Sequence, residues 1–183
     1  MQLVHLVNHI ILSIEYHPFG SFIPPYTQYL VVGTFPGRLF SQRTAEENQA
    51  EINAFSYGGR NQFWRIMEKI YDVELSTREA KMQLFQNLNI GLVDVIHACR
   101  RKKQSNLDSD LTDIVWNKDQ FEHIFKEKDI KNVFCTGKGV ALIFQKWYPD
   151  KPVITLPSPS PLYASMRFED KVKFYRNVFP KSE

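Results

Sequence analysis

Cysteine is scarce in this sequence, since Cys99 and Cys135 are the two residues of this type among 183. They do not form a CxxC pair, and neither the cysteines nor the histidines follow the ligand spacing of a zinc or iron-sulfur site. We therefore expect a protein without a bound metal or other cofactor, in a reduced, cytoplasmic compartment.

Long apolar runs are also absent. No stretch approaches the roughly 18 apolar residues that span a bilayer, and the amino terminus lacks the basic region and cleavage site of a signal peptide. Its apolar residues recur instead at helical spacing, which predicts an amphipathic helix over residues 2–15. We expect no association with membranes.

Neither sign of charge is in large excess, and the formal net charge is +3. A net charge of this size does not by itself indicate a nucleic-acid partner. The chain shows no repeat or linker, and its 183 residues suffice for one domain with its own core. Aromatic residues, in contrast, reach 14% of the chain and can fill a core or stack on flat ligands. We predict a single domain over residues 1–183 and a monomer.

The stretch that organises the rest of the sequence is residues 30–37. Its apolar, β-branched residues predict a buried parallel strand that stops at a glycine, followed by a Pro-Gly turn. In open α/β sheets, ligands bind at the carboxyl ends of the strands, and glycine lets a ligand approach the backbone. We expect the floor of a site to be formed by Gly33, Thr34, Phe35, Pro36 and Gly37.

Apolar segments of strand length alternate with segments of helical periodicity along the whole chain. Predicted strands cover residues 28–33, 90–96, 132–136 and 152–156, and predicted helices cover 62–71, 76–88, 108–126, 137–147 and 168–178. The polar segment 41–54 is either a short helix or a loop. This alternation predicts a three-layer α/β/α sandwich around a central, mainly parallel four-stranded sheet.

Four short segments together resemble the uracil-DNA glycosylase superfamily. They are Gly33–Gly37, Asn61–Trp64, Gly91–Asp94 with the trailing Arg100, and Leu156–Pro161. The resemblance covers residues 28–178 in the right order, and its nearest likeness is to the mismatch-type and hypoxanthine-type glycosylases. It implies a metal-independent, monofunctional DNA glycosylase that removes a deaminated base, uracil or hypoxanthine, in DNA base excision repair.

Two positions depart from the pattern of that superfamily. Phe35 occupies the position at which many members carry a catalytic Asp, Asn or Glu, and Leu156 replaces the histidine of the uracil-specific type. The resemblance therefore implies the fold and the ligand class more directly than the activity. Two alternatives stay open: a DNA-binding protein without catalytic activity, and an unrelated small-molecule α/β enzyme.

The resemblance also implies roles for individual residues near the predicted floor. Asn61 corresponds to a catalytic residue of the hypoxanthine-type branch. In this protein we expect Asn61 to position water or to bind the base. The alternative role is a helix N-cap. Phe35, Phe55 and Tyr57 are candidates for stacking on a flipped-out base, with core packing as the alternative.

The proline-rich loop after the fourth predicted strand is a candidate for DNA contact. Ser158 and Ser160 offer hydroxyl groups on a stiff backbone, which suits phosphate binding. Leu162 and Tyr163 follow where related enzymes insert a side chain into the base stack. An ordinary proline-rich turn is the alternative.

Basic residues supply the remaining candidate DNA contacts. Arg100, Arg101 and Lys102 begin a block of four positive charges after the second predicted strand, and Lys138 lies at a predicted helix start. A solvated surface is the alternative for the block. Asp94, on the second strand, fits an ion pair or a capping role better than catalysis.

Overall fold

A computed structural model describes residues 13–43, 47 and 55–181. In chain order its elements are β1 (Glu15–Tyr16), β2 (Tyr29–Gly33), α1 (Arg38–Ser41), α2 (Phe63–Tyr71), α3 (Arg78–Asn87), β3 (Ile90–Asp94), β4 (Ile96–Arg101), a 3₁₀ helix (Asp108–Asp110), β5 (Leu111–Trp116), α4 (Lys118–Glu127), β6 (Asn132–Cys135), α5 (Lys138–Trp147), β7 (Val153–Thr155) and α6 (Phe168–Val178).

The central sheet contains four parallel strands in the order β3-β2-β6-β7. Helices cover both faces of this sheet, and successive side chains of β2 pack against helices on opposite faces. Val31 belongs to a core shared with α2, α3 and α6, whereas Leu30 and Val32 belong to a core shared with α4 and α5. Because successive side chains of a strand point to opposite faces, β2 is buried on both sides. The predicted α/β/α sandwich is confirmed.

A second, antiparallel sheet of three strands in the order β1-β4-β5 was not predicted. The predicted strand 90–96 in fact ends at Asp94, and the chain then leaves the central sheet. At this point the N–H groups of Val95 and Ile96 donate to the carbonyls of Gly33 and Thr34, at 2.9 and 3.1 Å. These bonds hold the loop after β2 against the start of β4.

The prediction of one helix over residues 108–126 is wrong. Asp108–Asp110 forms only a 3₁₀ turn, and the next six residues form β5, which pairs with β4. Thr112, Ile114 and Val115 are β-branched, and such residues favour strands when a neighbouring edge can pair with them. The helix in this region, α4, begins only at Lys118.

Most predicted helix starts are confirmed. Asn61 lies beside the start of α2, where its side-chain Oδ1 accepts a hydrogen bond of 2.9 Å from the N–H of Phe63. The cap of α3 is Thr77, whose hydroxyl accepts from the N–H of Ala80 at 3.1 Å. This helix therefore begins one residue later than a cap at Ser76 would place it.

The amino-terminal predictions lie mostly outside the described residues. This applies to the helix predicted over residues 2–15 and to most of segment 41–54. The described part of the chain begins at residue 13. Within it, Glu15 is part of β1 and pairs with Cys99 of β4, so the predicted helix does not extend to this residue.

A buried ion pair ties this strand to the rest of the protein. Nε of Arg101 lies 3.2 Å from Oε2 of Glu15, and each side chain is 4% exposed. Hydrogen bonds from Ser41 and Gln42, at 2.6 and 2.9 Å, complete the shell of the carboxylate. Burial would raise the pKa of Glu15, but these bonds and the Arg101 charge outweigh it and lower that pKa.

Candidate active site

A cleft of about 610 Å³ opens at the carboxyl ends of β2, β3 and β6. Four segments line most of it: the loop after β2 (residues 34–37), the turn before α2 (57–61), residues 106–108 and the loop after β7 (158–163). These are separated in sequence and meet because parallel strands deliver their following loops to one edge of the sheet. The cleft is of the size that commonly binds small ligands or single nucleotides.

Gly33 ends β2 immediately below the cleft, where no side chain fits. A Cβ at this position would overlap Oδ1 of Asp94 and lie 2.6 Å from the hydroxyl oxygen of Tyr57. The glycine therefore permits close packing of Asp94 and Tyr57 against the end of the strand.

Tyr57 has an unusual backbone and an unusual side-chain environment. Its φ angle is 64°, in the left-handed region that aromatic residues rarely adopt. Its hydroxyl is buried and has no hydrogen-bond partner among the described residues. Burial, reinforced by the charge of Asp94, raises the pKa of Tyr57 well above its usual value. Strain and an unpaired polar atom are typical of functional sites.

Asp94 pairs with His17, which sequence reasoning did not identify. Oδ2 of Asp94 lies 3.0 Å from Nε2 of His17, and the two side chains are 9% and 6% exposed. Because Nδ1 of His17 accepts from the N–H of Phe19, the ring of neutral His17 carries its proton on Nε2 and donates it to Asp94. The ring of His17 also packs edge-on against Phe35, with 5.9 Å between ring centroids.

Asn61 lines the cleft and also supports α2. Its Oδ1 accepts a hydrogen bond from the N–H of Phe63. The Nδ2 amide hydrogens therefore remain to donate to a ligand in the cleft. The two roles considered from the sequence are thus compatible. Asn61 can donate to a ligand atom but cannot remove a proton from water.

A second carboxylate, Asp108, reaches the same cleft from the 3₁₀ helix. Its Oδ2 accepts a hydrogen bond of 2.9 Å from the hydroxyl of Thr34. Beside it, Oδ1 of Asn106 accepts from the N–H of Arg38 at 2.8 Å. The loop after β2 is therefore fixed by residues that lie about seventy positions away, beyond the reach of any local motif.

Most residues predicted from the sequence do meet at this cleft. Those that line it are Thr34, Phe35, Pro36, Gly37, Tyr57, Asn61, Arg101, Ser158, Ser160, Leu162 and Tyr163. Lys138 lies instead in an adjoining cleft of about 430 Å³, which shares Thr34, Asp108 and Ser158 with the first.

The expectation that Phe55 faces a ligand is not met. This ring is 2% exposed and packs against Phe22 and Trp64, because the turn at Ser56–Gly59 places it in the core beneath the cleft.

The basic block at the end of β4, residues 100–103, is not one uniform exposed surface. Arg101 is buried against Glu15 and donates to the carbonyls of Ser105 and Pro36, at 3.0 and 3.4 Å. Arg100 pairs with Asp113 at 3.4 Å. Lys102 is exposed. Because alternate residues of β4 face opposite sides, the block divides between core and solvent.

The fold matches a solved structure. That structure is the solution NMR structure of a "putative Uracil DNA glycosylase" from Methanosarcina acetivorans, with a TM-score of 0.59 and 18% sequence identity. The match covers 91% of this chain and 97% of the other. No protein-family model matches the sequence, and no curated protein matches it. At this identity the likeness establishes a shared fold.

The described residues contain no group of three or more His, Cys, Asp or Glu side chains placed to hold a metal ion. Burial raises the pKa of Cys99 to about 11 and that of Cys135 to about 12, so neither is a thiolate at neutral pH. None of the helices within these residues is long and apolar enough to cross a membrane.

Lys171, another residue not identified from the sequence, holds the loop after β7 in place. Its side chain is buried, with Nζ 2.9 Å from Oε1 of Gln62 and 3.2 Å from the carbonyl oxygen of Tyr163. Burial lowers the pKa of Lys171. The hydroxyl of Tyr175 donates to the carbonyl of Pro157 at 2.8 Å and fixes the start of the loop.

Replacing Lys171 with methionine is expected to lower the free energy of unfolding by about 1–3 kcal/mol, because its acceptors lose their buried donor. Urea denaturation followed by circular dichroism measures this loss. Lys173→Met, which changes an exposed lysine of the same helix, is the matched control. Equal stability of the two variants would contradict a clamping role for Lys171.

Proposed function

We propose that this protein is a DNA glycosylase of the uracil-DNA glycosylase superfamily. It hydrolyses the N-glycosidic bond of a deaminated base, uracil or hypoxanthine, that has been flipped out of DNA. The observation that supports this best is the convergence of three predicted segments, residues 34–37, Asn61 and 158–163, at one cleft. The shared fold adds support. In this proposal the enzyme is a cytoplasmic, metal-independent, monofunctional monomer, with one domain spanning the chain.

The cleft offers what a flipped base requires. Phe35 presents a half-buried ring for stacking, and Asn61 presents amide hydrogens to the polar edge of the base. The base leaves as an anion, so donors that already point at it lower the barrier without reorganisation. The amino terminus of α2, next to Asn61, adds a partial positive charge at the same place.

The loop after β7 is suited to binding the DNA backbone. The hydroxyl oxygens of Ser158 and Ser160 accept from the N–H groups of Ser160 and Leu162, at 3.3 and 3.2 Å. Each hydroxyl hydrogen is therefore left to donate to a phosphate oxygen. Leu162 is 66% exposed at the tip of the loop, where an apolar side chain can enter the space that the flipped base vacates.

Exposed basic residues that line the two clefts, or that directly follow a lining residue, are expected to contact phosphates. Arg60 and Lys138 lie at the two clefts, and Lys102 follows β4. Replacing all three with alanine is expected to weaken DNA binding and to reduce the slope of log K against log salt by about 1 for each phosphate that is no longer neutralised. Fluorescence anisotropy over a salt series measures the slope.

The control for this triple variant removes the same charge from the opposite edge of the sheet. Lys126, Lys131 and Lys146 are exposed near the ends of α4 and α5, away from the cleft. Their triple alanine variant should bind DNA with an unchanged salt slope. If the slope falls equally in both triple variants, the binding is nonspecific attraction by net charge.

The proposal is tested by single-turnover cleavage of duplexes that contain uracil, hypoxanthine, xanthine or mismatched thymine. Alkali treatment breaks the strand at each abasic site that base release leaves, and gel shift with the same duplexes measures binding. Cleavage of any of the four supports a glycosylase, and cleavage of the uracil or hypoxanthine duplex supports the proposed substrates. Binding without cleavage would favour the DNA-binding alternative, which the phenylalanine at position 35 makes reasonable. Neither binding nor cleavage would favour a small-molecule enzyme.

A further inference from the structure

We propose that the carboxylate of Asp108 activates the water that attacks the sugar. This inference rests on the proposed glycosylase function. It names the residue that would take a proton from the attacking water. The sequence has phenylalanine where many superfamily members have an acidic or amide residue in the first loop. The structure places a carboxylate from a distant segment against that same loop.

Asp108 is oriented toward the cleft by its neighbour. The hydroxyl of Thr34 donates to Oδ2 at 2.9 Å, and Thr34 directly precedes Phe35 in the floor of the cleft. Oδ1 of Asp108 has no hydrogen bond from the part of the chain that the structure describes. Asp108 is exposed and lines both clefts, so water can reach its carboxylate from either one.

The other groups at the cleft are less suited to accept a proton. Asp94 is the second carboxylate among the described lining residues, and it is bound to His17 and packed against Gly33. Asn61 carries an amide, which is not basic. Asp108 is exposed at the cleft, whereas Asp94 is 8% exposed and paired with His17.

The proposed step is an ordinary hydrolysis. The water oxygen forms a bond to C1′ of the sugar as the bond between C1′ and the base nitrogen breaks, and the electron pair of that bond leaves with the base. A proton of the water passes to Asp108, and the base anion takes up a proton from solvent. Asp108 then returns its proton to solvent, so the enzyme is regenerated.

The surroundings of Asp108 favour this role. Desolvation raises the pKa of Asp108, and the negative charge of Asp94 on β3 raises it further. The hydrogen bond from Thr34 and the positive charge of Arg101 on β4 lower that pKa. The net result is a pKa above the usual carboxyl value. A carboxylate with a raised pKa accepts a proton more readily than an ordinary one. The thiol of Cys99 on β4, whose pKa burial raises to about 11, adds no charge near Asp108 at neutral pH.

The test compares wild type, Asp108→Asn and Asp150→Asn in single-turnover cleavage from acid to neutral pH. Asp150 is exposed after α5 and outside the cleft, so its variant controls for the loss of one negative charge. Asp108→Asn is expected to release the base about a hundredfold or more slowly, with DNA affinity unchanged. The wild-type rate should fall with acidification around a raised carboxyl pKa, whereas the residual Asp108→Asn rate should not.

The outcomes separate this inference from the function on which it rests. Wild type inert on all four bases would overturn the glycosylase proposal, and the role of Asp108 with it. An active wild type matched by Asp108→Asn, with the same pH profile, would overturn only the role of Asp108. Circular dichroism and urea denaturation of Asp108→Asn show whether it is folded, and Asp108→Glu gives a second variant in which partial activity is expected because the carboxylate is kept.

Discussion

Replacing Arg101 with alanine is expected to lower the free energy of unfolding by about 3–5 kcal/mol, because it leaves the buried carboxylate of Glu15 without its charged partner. The same change removes donors to the carbonyls of Pro36 and Ser105, which fix the loop after β2 and the turn before the 3₁₀ helix. Urea denaturation followed by circular dichroism measures the loss.

Arg100→Ala is the matched control, since Arg100 precedes Arg101 in β4 and pairs with the well-exposed Asp113. We expect this variant to be less stable by about 0.5 kcal/mol at most. A similar destabilisation by the two replacements would mean that the buried pair with Glu15 contributes no more than a surface ion pair.

The stability difference between wild type and Arg101→Ala should depend on pH. Because the folded state lowers the pKa of Glu15, the stabilisation from its ionised form is fully present above the usual glutamate pKa. It is lost as the pH falls through the lowered value. The two unfolding free energies should therefore converge as the solution is acidified, and a constant difference would exclude Glu15 as the cause.

Asn61→Ala is expected to slow base release by about a hundredfold while DNA affinity changes by a few-fold at most. The expected size is that of removing one well-placed donor to a developing negative charge. Single-turnover cleavage of the substrates on which wild type is active measures the rate, and fluorescence anisotropy measures the affinity.

The control for Asn61→Ala must separate removal of a helix cap from removal of a hydrogen bond to the base. Thr77 caps α3 through the N–H of Ala80 and lies outside the cleft. Thr77→Ala should cost about 1 kcal/mol of stability and leave base release unchanged. If Asn61→Ala were as active as Thr77→Ala, Asn61 would be a helix cap and the proposed hydrogen bond to the base would be rejected.

The central sheet was predictable because its signal is local. The run of residues 30–33 is apolar on both strand faces, and the turn that follows it is marked by proline and glycine, so a buried parallel strand and its loop follow from adjacent residues. The β1-β4-β5 sheet was missed for the opposite reason. The strand propensity of Leu111–Trp116 takes effect only when β4 offers an edge, and nothing within the segment reveals that edge.

The candidate site divides in the same way. Residues 34–37 and Asn61 lie directly after a strand and beside a helix start, and both positions are visible in sequence. His17 lies 77 residues from Asp94, and Asp108 lies 74 residues from Thr34. Pairs so far apart are created by the topology of the chain and leave no spacing pattern that could be detected in one sequence.

The clamp on the loop after β7 has a thermodynamic consequence for the proposed association with DNA. Three prolines restrict the backbone of this loop. Its carbonyl oxygens accept hydrogen bonds from the side chains of Lys171 and Tyr175 and from the N–H of Gln62. Its conformational entropy is therefore lost during folding and is not lost again when a ligand binds. A complex formed through this loop starts from a preorganised surface, so the contacts that the loop makes with its ligand are not offset by the ordering of a flexible segment.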